Sequence, residues 1–312
     1  MIKDNPIELI IERNHPELSR MQKRQFKAIT CSADLGDEAD MYKVKTIVLH
    51  GSVVPGKEEQ AASILIAGSE LVDELDAEDT YLWHPKRALK KALDLRVHAF
   101  GERDLRTAEA MHQFALMEDL ELDDCFDMLA KALEIRKASL PQDHPDIGES
   151  VLSMARHFYN DCEDAKSALP FAVRAVKVFE TADPDGKLSM KHVGALKVMA
   201  NILDELGKIP ESRECYEKAY AMCLKWHGLR HTHTAASAAS LAQCLRDWYP
   251  HEIFKSVELR RLELKTMEVM AGMHNHETAS CRENLAHDLQ ACCWLHDLRD
   301  VEKSVSEIGG GN

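Results

Sequence analysis

The hexapeptide Lys91-Ala-Leu-Asp-Leu-Arg96 returns forty residues later as Lys131-Ala-Leu-Glu-Ile-Arg136, with looser copies at Arg174-Ala-Val-Lys-Val and Lys218-Ala-Tyr-Ala-Met. A second element tracks it, an apolar residue followed by alanine: Phe114-Ala115, Met154-Ala155, Met199-Ala200, Leu241-Ala242 and Leu285-Ala286. Those alanines stand 40, 45, 42 and 44 residues apart. Five copies at a nearly constant period restrict the chain to folds made by stacking one supersecondary unit.

Each copy reads as two helices. Apolar residues recur at helical spacing in Ala172/Ala175/Val176/Phe179 and in Tyr216/Ala219/Tyr220/Cys223, which gives each helix one apolar stripe. The alanines of the other helix mark positions of close helix–helix approach, where a larger side chain would not fit. Turn signals separate the pairs at Pro141-Gln-Asp-His-Pro145, Asp183-Pro-Asp-Gly186, His227-Gly228 and Ala271-Gly272, and Gly207 reads as a helix stop. The composition agrees, because only 6% of residues are aromatic and 14 Gly and 10 Pro are spread over 312 residues. A helical hairpin cannot bury its stripe alone, so the expected fold is an all-α solenoid of stacked hairpins.

The residues resemble a known family at this point. An apolar-Ala helix, then Leu206-Gly207-Lys208, then Tyr216 and Ala219 is similar to the small, Gly, aromatic and Ala positions of the tetratricopeptide repeat. The longer period, with Ala-Leu-Glu-Ile-Arg136 followed by Gln142-Asp-His-Pro-Asp146, resembles the repeat variant of kinesin light chains. This resemblance implies a right-handed superhelix and a protein-binding scaffold without enzymatic activity. It covers about five helix pairs over residues 86–303, after a divergent helical region 1–85 and before a flexible tail 304–312. A HEAT or armadillo array has a similar period and is the alternative fold. Two departures stand out: Cys162 occupies the glycine position after Ala155, and Trp248-Tyr249-Pro250 replaces the turn after Ala242. These two hairpins are expected to bend differently from the rest.

Charge excludes several functions. With 39 Lys and Arg against 53 Asp and Glu, the net charge is −14, and such a field does not attract nucleic acid or an anionic membrane. No apolar run is long enough to cross a bilayer, and Met1-Ile2-Lys3-Asp4-Asn5-Pro6 lacks the pattern of a signal peptide. Nine scattered cysteines form no disulfide framework and read as reduced thiols, so a cytoplasmic protein is expected.

The first 85 residues are less regular. A helix is expected over 16–29 and another over 57–75, ending in the acids Glu70, Asp73, Glu74, Asp76, Glu78 and Asp79, a solvated surface by the usual behaviour of charge runs. Between them, Gly51-Ser-Val-Val-Pro-Gly-Lys57 matches the phosphate-cradling loop, and a nucleotide-responsive protein is the alternative function. Glu58 stands where that loop requires Ser or Thr, and its carboxylate would repel phosphate, so a helix–turn–helix joint is the preferred reading.

No catalytic constellation, metal site or cofactor is expected. His231/His233, His274/His276 and Cys292/His296 invite a zinc hypothesis, but no close Cys pair accompanies them. What remains is the groove of the solenoid, lined by the first helix of each pair. Counted from the anchor alanines, the groove positions are Arg156, Tyr159, Asn160, Lys197, Asn201, Gln243, Arg246, His287 and Gln290. Amides, an aromatic and three basic side chains suit an extended peptide carrying carboxylates, and the resemblance to kinesin light chains implies a protein or peptide partner with acidic or aromatic residues.

Overall fold

The computed structural model describes residues 58–70, 85–117, 122–182 and 189–309. The phosphate-loop-like stretch Gly51–Lys57, the expected helix 16–29 and the acids from 73 to 79 lie outside them. The described residues form eleven α-helices and no strand.

Two compact units divide the chain, Met1–Gln142 and Asp143–Asn312. The first holds α1 (Glu58–Glu70), α2 (Pro85–Phe100), α3 (Leu105–Ala115) and α4 (Leu122–Ser139). The second holds α5 (Pro145–Arg156), α6 (Ala165–Ala182), α7 (Ser189–Glu205), α8 (Ile209–His227), α9 (Thr232–Trp248), α10 (Ile253–Met270) and α11 (His276–Gly309). Within each unit every helix packs on its neighbours in sequence, which is the stacked-hairpin arrangement of a tetratricopeptide-like solenoid. Helix α11 includes residues 304–309, the segment expected as a tail.

The anchor alanines explain the packing. Ala155, Ala200 and Ala242 are fully buried and Ala115 nearly so. Second helices approach closely enough for side-chain hydroxyls to reach first-helix backbone: Ser212 Oγ donates to the Ala200 carbonyl at 2.9 Å and Ser256 Oγ to that of Ala242 at 2.8 Å. Ala286 differs and is exposed. No second helix follows α11 among the described residues to cover it.

One loop device recurs between hairpins. Gly101, Gly228 and Gly272 adopt positive φ of 86°, 79° and 91°, and each carbonyl accepts the hydroxyl of the threonine six residues on, Thr107, Thr234 and Thr278, at 2.7–2.8 Å. The next helix is capped by Asp104, His231 or Asn275, whose side chain accepts the backbone N–H two residues later. His144 does the same for α5. His231, weighed in the sequence as a metal ligand, is thus a helix cap. Inside the hairpin α7–α8, Gly207 (φ 72°) ends α7 with Gly207 N–H on the Asp204 carbonyl and Lys208 N–H on that of Leu203, the Schellman stop expected from sequence.

The hairpin α5–α6 does bend differently. A π-turn, His157–Asp161, extends α5, and the left-handed position moves from Cys162 to Glu163 (φ 52°). One additional residue in the first helix is absorbed as a π-bulge, the usual outcome of such an insertion. After Trp248 the chain turns through a short 3₁₀ segment, Pro250–Glu252, in place of a glycine stop.

Candidate functional site

The nine groove candidates all fall in the unit Asp143–Asn312, on α5 with its π-turn, α7, α9 and α11. Their surroundings divide them into residues already engaged by the fold and residues that are not.

Four positions follow an anchor alanine directly: Arg156, Asn201, Gln243 and His287. Asn201 Oδ1 accepts a short hydrogen bond from the Tyr216 hydroxyl of α8. Gln243 Oε1 accepts from Arg260 Nη2 of α10 at 2.9 Å, and its Nε2 donates to Asp247. In both repeats the amide satisfies a polar group that the second helix buries. In the hairpin α5–α6, Ala172 stands 44 residues before Tyr216 and is fully buried. It offers nothing for Arg156 to bond. Arg156 instead extends towards α7, where a Cβ placed on Gly194 would lie 3.8 Å from its Nη2.

Arg156 and Lys197 have no hydrogen bond or ion pair among the described residues. Arg156 keeps solvent access and Lys197 is half-buried, yet both are crowded enough by protein that lost hydration lowers their pKa from the ordinary values. Lys197 is close enough to His233, at the start of α9, to help lower that imidazole's pKa, after burial, His231 and His227.

Arg246 is already committed. Its Nη1 lies 3.3 Å from Oδ1 of Asp288, a fully buried carboxylate on α11, and its Nε lies 3.0 Å from Asp247. With Asn284, His287, Gln290 and Ala291 it lines an open recess of about 470 Å³. His287 and Gln290 are exposed. Asn284 is a recess residue that the counting from alanines missed, because it precedes Ala286 by two rather than three positions.

Tyr159 and Asn160 belong to the π-turn. Asn160 is exposed. Tyr159 packs on the cluster of Ala155, Ala168, Ala172 and Ile202, and burial, then the Glu205 carboxylate that takes its hydroxyl hydrogen bond, push its pKa up. It is a wall of the face more than a free donor.

These features fit the comparisons with known proteins. No family model matches the chain. A stretch of 117 residues is 27% identical to the protein kinesin light chain-related 2 of Arabidopsis thaliana, covering 37% of this chain and 17% of that protein. The chain therefore spans about a sixth of that relative's length. Among solved structures, a kinesin light chain-like protein of Podosopora anserina with nearly identical TPR-like repeats superposes with a TM-score of 0.55 at 14% identity, over 69% of this chain and 98% of that one. A signal-transduction ATPase of Pyrococcus horikoshii with a tetratricopeptide repeat sensor gives 0.53 at 13% identity, over 92% and 46%. The chain has the tetratricopeptide-like fold and is similar to kinesin light chain repeats.

Proposed function

We propose that this protein is a non-enzymatic interaction scaffold whose first-helix face in the unit Asp143–Asn312 captures an extended acidic peptide. One observation carries the reading: Arg156 and Lys197, on consecutive first helices, are crowded cations without a counter-charge among the described residues. A carboxylate arriving between them would supply the interaction that their lost hydration leaves missing. Asn160 and the free amide nitrogen of Asn201 stand on the same face to meet peptide backbone, and the recess at His287 and Gln290 takes a side chain further along. The likeness to kinesin light chain repeats and to a tetratricopeptide sensor agrees with a binding role for such a face.

Arg246 has no part in capturing the anion, since Asp288 and Asp247 already neutralise it. The test is fluorescence anisotropy with a labelled peptide alternating Glu and Trp, beside the same peptide with Gln in place of Glu. Each lost charge-assisted contact is worth about 1.5–3 kcal/mol, so R156E/K197E weakens the acidic peptide by roughly a hundredfold or more. The Gln peptide binds poorly to either form. Equal affinity of the wild type and the double variant for the acidic peptide would place the interaction elsewhere.

A further inference from the structure

The π-turn assembles a group of side chains that peptide capture does not use. His157 is 4% exposed, and its Nδ1 lies 2.9 Å from Oδ2 of Asp161. Its Nε2 lies 3.6 Å from Sγ of Cys162. Cys162 itself is exposed. The π-turn creates this arrangement. Its backbone bond runs from Cys162 N–H to the His157 carbonyl at 3.1 Å, so residues five apart are stacked and the thiol is brought over the imidazole. The non-glycine left-handed residue Glu163 then turns the chain away, and Asp164 caps α6 by accepting the Ser167 N–H at 3.0 Å. A strained residue beside a π-bulge is the kind of irregularity that accompanies functional sites.

Chemically this is a nucleophile, a base and a group that orients the base. A carboxylate only accepts, so Asp161 fixes the proton on Nδ1 and leaves the Nε2 lone pair directed at the thiol. Cys293 is also an exposed thiol and touches no imidazole among the described residues, which makes it an internal control.

We propose that Cys162 is a thiol-modification site that takes up low-molecular-weight disulfides, with His157 as its base and Asp161 as the positioning residue. His157 Nε2 accepts the thiol proton, and the Cys162 thiolate attacks one sulfur of the disulfide. The Cys162–sulfur bond forms as the disulfide bond breaks, and the departing thiolate takes the proton from the imidazolium. Cys162 is oxidised to a mixed disulfide, the second half of the reagent is reduced to a thiol, and the imidazole is regenerated. The step is stoichiometric and needs no further reactant. It stands independently of the peptide reading.

The experiment treats the full chain with glutathione disulfide and follows each cysteine by peptide mass spectrometry. Cys162 is expected to react at least about tenfold faster than Cys293, since positioned bases contribute upwards of a hundredfold. Asp161→Asn, whose amide N–H can donate to Nδ1 and hold the wrong tautomer, slows Cys162 about tenfold or more and leaves Cys293 unchanged, while Asp161→Glu, which keeps an acceptor-only carboxylate, recovers most of the rate. His157→Gln slows Cys162 at least as much. If that buried substitution disrupts the turn, the exposed Asp161 pair decides alone. Equal rates at Cys162 and Cys293, or an Asp161→Asn variant as fast as wild type with Asp161→Glu no different, would overturn the assignment.

Discussion

The repeats α7–α8 and α9–α10 occupy the same architecture with opposite interiors. In the first, the second helix turns Tyr216, Ala219 and Cys223 inward against Leu203, Leu241 and Leu245. Forty-four residues on, the corresponding positions of α10 are Arg260, Glu263 and Met267. Arg260 and Glu263 are buried and pair with each other at 3.0 Å. Glu263 also accepts from the Cys281 thiol at 3.4 Å. Arg260 Nε stands 3.7 Å from Asp288, within ion-pair range but too long for a hydrogen bond, and that nitrogen has no hydrogen-bond acceptor. Ser256, Gln243 and Arg246 complete the set around Asp288 and Arg260. The hairpin spacing is therefore indifferent to whether its interior is apolar or ionic, provided every buried charge finds a partner. The ionic interior also engages Arg246, while Lys197 of the apolar repeat pairs with no carboxylate among the described residues.

The comparison breaks most visibly at Asp288. Asp288→Ala removes the acceptor shared by Arg246 and Ser256 and leaves buried charge without its partner, so urea unfolding should show a loss of about 3–5 kcal/mol. A loss below a kilocalorie would mean that the ionic interior is solvated rather than closed. The apolar repeat is probed by Ala200→Leu, expected to overpack the fully buried anchor by about 1–3 kcal/mol. Its counterpart Ala286→Leu, on the uncovered face of α11, should leave the midpoint unchanged. Equal effects would show that α11 is covered after all. The smallest effect sharpens the parallel between the two amides. Asn201→Ala orphans the Tyr216 hydroxyl and should be destabilising by about 0.5–1.5 kcal/mol. Placed on a Tyr216→Phe background, the same substitution should be close to silent. A simple reading of Asn201 as a groove residue expects no change in either background.

The helical hairpins, their order and the Gly207 stop were legible in the chain because they rest on contacts between residues close in sequence. The anchor alanines were legible too, since nothing larger fits there, and the failure at Ala286 is of another kind. The residue is an alanine in register, but no second helix among the described residues covers it as the other four are covered. For the groove candidates, sequence supplied positions and no more. Counting from the alanines placed nine residues on the first helices. It carried no information on which of them the second helices would claim.

Periodicity thus determined the solenoid, its helix pairs and the first-helix face on which the candidates were counted, because an apolar stripe repeated every 40–45 residues has no other way to be buried. Tertiary structure decided which side chains on that face are available. The Tyr216–Asn201, Arg260–Gln243 and Arg246–Asp288 pairs join residues 15, 17 and 42 positions apart, beyond the reach of any local pattern. Only folding brought Gly194, with no side chain, opposite Arg156, and Asp288 opposite Arg246. A charge is free or engaged according to what the next helix places against it, and that is settled by packing.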